Sequence, residues 1–170
     1  MTELRLRPYK ASDAQTIISW IGDEVAFRKW CADRYDSYPI TAEDMNGSYE
    51  KCAESGSFFP ITAVDDGSIV GHLIMRYTDE EKTIIRFGFI IVDDKKRGMG
   101  YGRKMLDEAV RYAFEKLNAQ KITLGVFDNN EAAHRCYRSV GFTDITGKTT
   151  TFPIFNEEWK CIEMELTKNA

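Results

Sequence analysis

The amino-acid sequence predicts one mixed α/β (α+β) domain, with helices on both faces of a central, mostly antiparallel sheet of about seven strands. Three observations favour this fold class. The chain has 170 residues, of which 43% are hydrophobic, enough for one sizeable core but too few for two. Short β-prone runs separated by turn-forming residues occupy the middle of the chain. Two amphipathic helical segments then alternate with further strands.

The first 55 residues predict one strand and three helical segments. In order, these are a strand at 4–7, a short helix capped by Ser12 and Asp13 and ended by Gly22, a helix from about Glu24 to Trp30, and a helix from Thr41 to about Glu54. The start of the last helix is the clearest, because Thr41 followed three residues later by Asp44 has the pattern of a capping box.

The middle of the chain predicts three antiparallel strands, a helix and one further strand. Their bounds are Phe58–Val64, Ile69–Tyr77 and Ile84–Val92 for the strands, Gly100–Leu117 for the helix, and Lys121–Phe127 for the last strand. Turn signals at 65–68 and 79–82 join the first three strands as hairpins. Because the helix packs one face on the sheet, the strand after it should run parallel to the strand before it.

The end of the chain predicts one more helix and two strands. They extend from Glu131 to about Val140, from Phe142 to about Thr151, and from Trp159 to Leu166. Asn130 and its neighbours cap the helix, and Gly141 ends it. We therefore expect a single domain over residues 1–170, with helices up to residue 55, a central unit over 58–142 and a C-terminal hairpin over 143–170.

Composition excludes several classes of partner. A net charge of −4 and a pI near 5.3 argue against a general nucleic-acid or membrane-surface binder. No apolar run approaches the ~18 residues of a membrane span, and the first residues lack the apolar core of a signal peptide. Four widely spaced cysteines without a Cys-x-x-Cys pair suit a reducing cytoplasm and indicate no metal site. The assembly is left open, with a homodimer as one alternative.

The stretch Val-Asp-Asp-Lys-Lys-Arg-Gly-Met-Gly-Tyr-Gly-Arg, from Val92 to Arg103, links a strand to a helix. The first turn of a helix has N–H groups without intrahelical partners, and the helix dipole adds positive charge there. The three glycines remove side-chain atoms that would keep a phosphate from the backbone, and basic residues surround them. The stretch therefore predicts a pyrophosphate site, with an ordinary solvated connection as the alternative.

Two other phosphate-binding loops fit this stretch poorly. A Walker A loop requires Gly-Lys-Ser or Gly-Lys-Thr, which does not follow these glycines. A dinucleotide fingerprint is Gly-x-Gly-x-x-Gly with an acid about 20 residues later, where this chain has the stretch near Lys121. The pattern that fits is Arg-x-x-Gly-x-Gly, formed by Arg97, Gly100 and Gly102. It resembles the acyl-CoA loop of the GNAT superfamily of N-acyltransferases.

A second segment strengthens this resemblance. Asn130 is followed by small residues, by Tyr137 seven positions later, and by Gly141-Phe142, which is the superfamily's usual form. The resemblance implies a GNAT-like fold in which the central parallel strand pair splays apart and receives acetyl-CoA as cosubstrate, without a metal. It also implies that acetyl-CoA is bound by Ile90, Ile91, Val92, Arg97, Gly98, Met99, Gly100, Tyr101, Gly102, Arg103 and Asn130.

Tyr137 matches the superfamily's general acid by position. A phenol with a pKa near ~10 stays protonated at neutral pH and is able to protonate the departing thiolate. A packing role on an apolar helix stripe is the alternative for Tyr137, and helix capping is the alternative for Asn130. The resemblance further suggests that a backbone N–H of the splayed strand, such as that of Ile91, stabilises the oxyanion.

The general base cannot be transferred from the superfamily, because Arg86 stands where many relatives have a glutamate two residues before the strand glycine, here Gly88. Glu24, Asp33, His72 and a water chain remain as alternatives, each with an ordinary structural role beside the catalytic one.

We expect an N-acetyltransferase that acetylates a primary amine of a small molecule or peptide by direct attack in a ternary complex. The acceptor should bind between the first 55 residues and the final hairpin. These are rich in aromatic residues, namely Trp20, Phe27, Trp30, Tyr35, Tyr38 and Trp159. Nearby acidic residues weakly favour a cationic acceptor. A non-catalytic acyl-CoA-binding regulatory module and a phosphate-loop nucleotide binder are the rival functions.

Overall fold

The computed structural model describes residues 3–169, in which a central sheet of seven strands carries helices on both faces. The strands are β1 (Arg5–Pro8), β2 (Phe58–Asp65), β3 (Ser68–Tyr77), β4 (Ile84–Val92), β5 (Lys121–Phe127), β6 (Thr143–Ile154) and β7 (Glu157–Thr167). The helices are α1 (Ala14–Ser19), α2 (Glu24–Cys31), α3 (Ala42–Ala53), α4 (Tyr101–Glu115) and α5 (Glu131–Val140). Short 3₁₀ turns occupy Ala11–Asp13 and Asp94–Lys96.

The strand order in the sheet is β1-β2-β3-β4-β5-β7-β6. Each neighbouring pair is antiparallel except β4 and β5, which are parallel and joined through α4. This confirms the predicted fold class, including the single parallel pair. Parallel strands need a crossover connection, and the amphipathic α4 provides it on one face of the sheet.

The parallel pair stays together over a short length only. Its register runs from Ile84 opposite Lys121 to Arg86 opposite Thr123, and the two strands separate beyond that point. Just after the last pair, β4 contains a bulge, because two residues separate Gly88 from Ile91 while one residue separates their partners on β3. Phe89 within the bulge has a φ of +49°, which turns the strand locally. The bulge leaves a gap between β4 and β5.

Two hydrophobic clusters lie on opposite faces of the sheet. One cluster joins the sheet to α4 and α5, and it includes Leu73, Leu106 and Tyr137. The other joins the sheet to α1, α2 and α3, and it includes Ile74 and Phe27. The adjacent residues Leu73 and Ile74 belong to different clusters because successive side chains of a strand point to opposite faces.

Local signals in the sequence explain most element boundaries. The capping box forms as predicted, with Asp44 N donating to Thr41 Oγ1 at 3.1 Å and Thr41 N donating to Asp44 Oδ2 at 2.8 Å. The final hairpin extends beyond the prediction, to Ile154 and from Glu157. Its two-residue turn consists of Phe155 and Asn156, both with positive φ. Because such a turn is usually recognised by a glycine, and this one has none, the sequence did not predict it.

Candidate active site

The glycine loop ends in a helix start with free amides. Gly98 and Gly100 have φ of +77° and +84°, a conformation that side chains with a Cβ adopt at a cost. Gly100 is the N-cap of α4, and the first helical bond runs from Lys104 N to Gly100 O. The amides of the first turn of α4 therefore have no carbonyl partner within the helix and are available to an anion.

The basic residues around the loop have different tasks. Arg97 donates from Nε to Val92 O and from Nη2 to Trp20 O, each at 3.3 Å, so its guanidinium ties the loop to the ends of β4 and α1. The Tyr101 hydroxyl donates to Asp65 Oδ2 at 2.7 Å, and the ammonium groups of Lys96 and Lys104 lie 5.7 and 5.6 Å from its ring. These contacts hold the loop in place. The positive charges of its basic side chains remain close to the first turn of α4.

One cavity of about 690 Å³ joins the loop, the end of β4 that has separated from β5, and the start of α5. Of the residues expected to bind acetyl-CoA, the cavity is lined by Ile90, Ile91, Val92, Arg97, Gly98, Gly100, Gly102, Arg103 and Asn130. Tyr137 lines it too. Met99, which is 62% exposed, and Tyr101 do not contribute to the lining, so their expected contribution is limited to backbone amides.

Tyr137 lies deep in this cavity. Its side chain is buried between the sheet and α5, and burial raises the pKa of its phenol well above the ordinary value of 10. A phenol that stays protonated at every physiological pH is suited to donating a proton. The neighbouring Cys136 also lines the cavity, and burial raises the pKa of its thiol, which disfavours a thiolate nucleophile there.

Asn130 occupies the N-cap position of α5. Its side chain makes no capping hydrogen bond to the helix, and it lines the cavity. The amide group carries both donors and acceptors. It is therefore free to meet the amides of a pantetheine arm.

The position of the usual base is filled by an ion pair. Arg86 on β4 donates from Nη1 to Glu163 Oε1 at 2.6 Å and from Nη2 to Glu163 Oε2 at 3.0 Å, where Glu163 belongs to β7. A Cβ added to Gly125 would lie 2.9 Å from Arg86 Nη2 and 2.9 Å from Glu163 Oε2. Gly125 lines the cavity, so the ion pair lies beside it. Sequence reasoning missed Glu163 and Gly125, because only the register between β4, β5 and β7 brings them together.

The three candidate bases lie elsewhere. His72 is fully buried, its Nε2 lies 2.7 Å from the Tyr49 hydroxyl, and burial lowers its pKa to about 3. Glu24 and Asp33 line a separate pocket of about 330 Å³ between α2 and the β6–β7 hairpin. None of the three lines the cavity that contains Tyr137.

Of the aromatic residues expected to form the acceptor site, only Trp30 lines this cavity. Trp20 and Phe27 are core residues, and Trp159 packs within the final hairpin. Trp30 lines the cavity together with Phe89, whose ring centroid lies 5.0 Å away. The sequence did not predict that Phe89 lines the cavity, because the direction of its side chain depends on the β4 bulge.

Other features limit the chemistry. The described residues contain no group of three or more His, Cys, Asp or Glu side chains arranged to hold a metal ion. All four cysteines have free thiols. Within residues 3–169, none of the helices combines the length and apolarity needed to cross a lipid bilayer.

Known proteins similar to this chain include acetyltransferases. The family model described as "Acetyltransferase (GNAT) family" matches residues 24–142. The spermine/spermidine N(1)-acetyltransferase of Bacillus subtilis is 29% identical over 101 residues, which cover 55% of this chain and 64% of that protein. The L-amino acid N-acetyltransferase AaaT of Escherichia coli is 27% identical over 112 residues, covering 65% of this chain and 68% of that protein. The match to the Bacillus protein thus spans less than two thirds of its length.

Solved structures share the fold over nearly the whole chain. The spermidine N-acetyltransferase of Vibrio cholerae, in complex with CoA and spermine, has a TM-score of 0.81 and 21% sequence identity. The match covers 96% of this chain and 95% of that chain.

Proposed function

Because the chain belongs to the acetyltransferase (GNAT) family, we propose that it is an N-acetyltransferase, which moves an acetyl group from acetyl-CoA to a primary amine. The acceptor is a small molecule or peptide, and the amine attacks the thioester directly in a ternary complex. One observation carries the proposal. A single cavity joins the glycine loop, the end of β4 that no longer pairs with β5, and Tyr137, which are the three parts that such a transfer needs.

The cosubstrate lies along one side of this cavity. Backbone amides from Arg97 to Arg103 bind the pyrophosphate at the start of α4, where the free amides and the helix dipole favour an anion. The pantetheine arm enters the gap between β4 and β5, alongside residues 90–92. Asn130 binds its amides. This placement leaves the thioester beside Tyr137.

The chemistry requires a nucleophile, an oxyanion site and an acid. A neutral amine attacks the thioester carbonyl, and a backbone N–H such as that of Ile91 stabilises the oxyanion. As the carbon–sulfur bond breaks, Tyr137 gives its proton to the sulfur, which prevents the thiolate from returning. The attacking nitrogen loses its surplus proton to water, and a proton from water restores the phenol. No carboxylate stands at the usual base position, so the ammonium form of the acceptor loses its proton to water.

The relatives named above act on two kinds of acceptor, polyamines and L-amino acids. Both are small-molecule amines, and we assign that class to this chain. Their names are those of enzymes, which gives no support to a non-catalytic acyl-CoA-binding module. The free thiols suit a reducing compartment such as the cytoplasm.

Two measurements test the proposal. Coenzyme A should raise the melting temperature more than ATP or NAD at equal concentration, because the loop fits a pyrophosphate followed by a pantetheine arm. Acetyl-CoA mixed with a panel of primary amines should then release free coenzyme A thiol. A preference for ATP or NAD would contradict the cosubstrate. Binding of coenzyme A without thiol release from any amine would favour the non-catalytic module.

A further inference from the structure

Two arginines face each other across β3 and β4. Arg76 on β3 is the direct register partner of Arg86 on β4. Directly opposite residues of an antiparallel pair project from the same face, and here that face also carries Ile74, which packs under α1, α2 and α3. Like charges in this position destabilise the sheet unless another group compensates them. The arrangement therefore needs an explanation.

Glu163 compensates only one of the two. It forms the bidentate ion pair with Arg86 described above. Arg76 is half-buried and has no hydrogen-bond or ion-pair partner among residues 3–169. Arg34, an exposed residue after α2, likewise makes no side-chain hydrogen bond or ion pair within the described chain. Of these three guanidinium groups, only that of Arg86 is paired with a carboxylate.

The electrostatics agree with this surplus of positive charge. Burial, followed by the nearby charges of Arg34 and Arg86, lowers the pKa of Arg76. A half-buried cation without a counter-ion is unfavourable, and an incoming anion would remove the penalty. The protein supplies no such anion from its described residues.

Arg86 lies beside the cavity proposed to receive the acceptor, and Arg76 is its register neighbour on β3. The Arg86–Glu163 pair contacts Gly125, and Gly125, Gly88 and Phe89 all line the cavity. Gly88 lies two residues beyond Arg86 on the same strand, roughly 6–7 Å along it. An amine that reaches the thioester at the gap therefore carries the rest of its structure past these guanidinium groups.

We propose that the acceptor is a small molecule that carries both a primary amine and a carboxylate, as an amino acid does, and that Arg76, assisted by Arg34, binds this carboxylate. The planar guanidinium matches a carboxylate with two parallel hydrogen bonds. A polyamine would instead place further positive charge beside uncompensated arginines. This inference rests on the proposed acetyl transfer and narrows its substrate class.

The first test needs only the wild-type protein. Initial rates of coenzyme A thiol release are measured with L-amino acids, with the matching L-amino acid amides, and with spermidine. We expect kcat/KM at least about tenfold higher for the best acid than for its amide, because loss of the carboxylate leaves the half-buried guanidinium of Arg76 unpaired. The amide's ammonium group loses its proton more readily, so amine basicity cannot produce this preference. Equal or better rates with amides or spermidine would overturn the inference while leaving acetyl transfer intact.

The second test asks whether Arg76 is the residue that binds the carboxylate. Arg76→Gln should raise the KM for the acid by about tenfold or more and leave both the KM for acetyl-CoA and the rate with the amide unchanged. Arg111→Gln is the matched control, since Arg111 is exposed on α4 and pairs with Glu108. Arg34→Gln, at an exposed site, should show a smaller rise and serves if Arg76→Gln does not fold. Equal losses with acid and amide would overturn the assignment.

The two proposals fail in different ways. Equal rates of thiol release with amines of every charge type would refute carboxylate recognition alone. Absence of release from the whole panel, in a protein that still binds coenzyme A, would refute acetyl transfer and the inference with it.

Discussion

The two sides of the gap between β4 and β5 are built in different ways. On the proposed cofactor side, comprising residues 90–103 and the start of α5, the groups that would bind the anion are backbone amides and glycines in one continuous stretch. On the proposed acceptor side, the groups that would meet the acceptor are side chains from four elements, namely Trp30, Arg76, Arg86, Phe89 and Glu163. Arg86 and Glu163 lie 77 positions apart in the chain.

This difference decides what each side is able to recognise. A backbone site recognises the shape and charge that all acyl-CoA molecules share, and it survives substitution of most surrounding side chains. A side-chain site recognises features that differ between acceptors, and single substitutions alter it. We therefore expect changes on the cofactor side to affect every acceptor equally and changes on the acceptor side to affect acceptors selectively.

The largest expected effect falls where the two sides meet, at Tyr137. Tyr137→Phe removes the hydroxyl and keeps the packing, so turnover should fall by about 10²–10⁴-fold while acetyl-CoA affinity stays nearly constant. The loss should be the same for all acceptors. Steady-state kinetics with two acceptors and a binding titration of coenzyme A measure both quantities. Tyr112→Phe, at a 41% exposed tyrosine on α4, is the control. Unaltered turnover would remove Tyr137 from the mechanism.

Burial of Tyr137 also predicts the pH profile. Because its pKa is raised above 10, the phenol remains protonated throughout the accessible range. Activity should rise with pH as the acceptor amine loses its proton, and no decline from loss of the acid should appear below about pH 10. A descending limb near neutral pH that vanishes in Tyr137→Phe would show instead that the phenol has an ordinary or lowered pKa.

The next effect concerns the cofactor side alone. Gly100 has a φ of +84°, so Gly100→Ala strains the loop by roughly 1–2 kcal/mol and shifts the amides that follow. We expect coenzyme A affinity to fall about tenfold to a hundredfold, equally with every acceptor. Gly47→Ala is the control, because Gly47 lies within α3 with open space around its Cα. A selective effect on one acceptor would contradict the separation of the two sides.

The sequence revealed the cofactor side far better than the acceptor side, for a physical reason. The bounds of β4, β5 and α5 were predicted to the residue, because hydrophobic periodicity and caps are local signals. The loop glycines were found because a backbone site needs a short, contiguous pattern. The assignments of acetyl-CoA-binding residues and of Tyr137 stay predictions.

The acceptor side could not be read in the same way. The Arg86–Glu163 pair depends on the register of β7 against β5, which no local signal contains. Phe89 reaches the cavity through a bulge, and a one-residue bulge reverses which face a side chain takes. His72, considered as a base, belongs instead to the buried core beneath α3.

His72 gives a test of stability on the acceptor face. Its pKa falls from 6.5 to about 3 on folding, so below pH 6.5 the unfolded chain takes up a proton that the folded chain excludes. The contribution of His72 to stability is therefore fully present above pH 6.5 and is lost as pH decreases toward 3. Between pH 7 and pH 5 the free energy of unfolding should fall by about 2 kcal/mol. Urea unfolding at the two pH values measures it.

Variants separate His72 from other titrating groups. His72→Gln should be less stable at pH 7 but should lose much less on acidification to pH 5. His134→Gln should keep the loss that His72 causes, since the His134 ring contacts Asp144 on α5's side of the sheet and does not touch His72. The chain contains two histidines, so the comparison accounts for both. An equal pH dependence in His72→Gln and wild type would refute the burial of a neutral ring.

The smallest expected effect comes from Thr41, the N-cap of α3, which the sequence alone identified. Its hydroxyl accepts from Asp44 N, so Thr41→Ala should lower the free energy of unfolding by about 1 kcal/mol. Thr16→Ala, at an exposed position of α1, should change it by less than about 0.5 kcal/mol. Kinetic constants for acetyl-CoA and for the acceptor should not change, because a cap acts on the helix end and not on the side chains that line the cavity. A raised acceptor KM in Thr41→Ala would mean that the acceptor wall moves with α3, and the acceptor side would then depend on local stability as well as on its side chains.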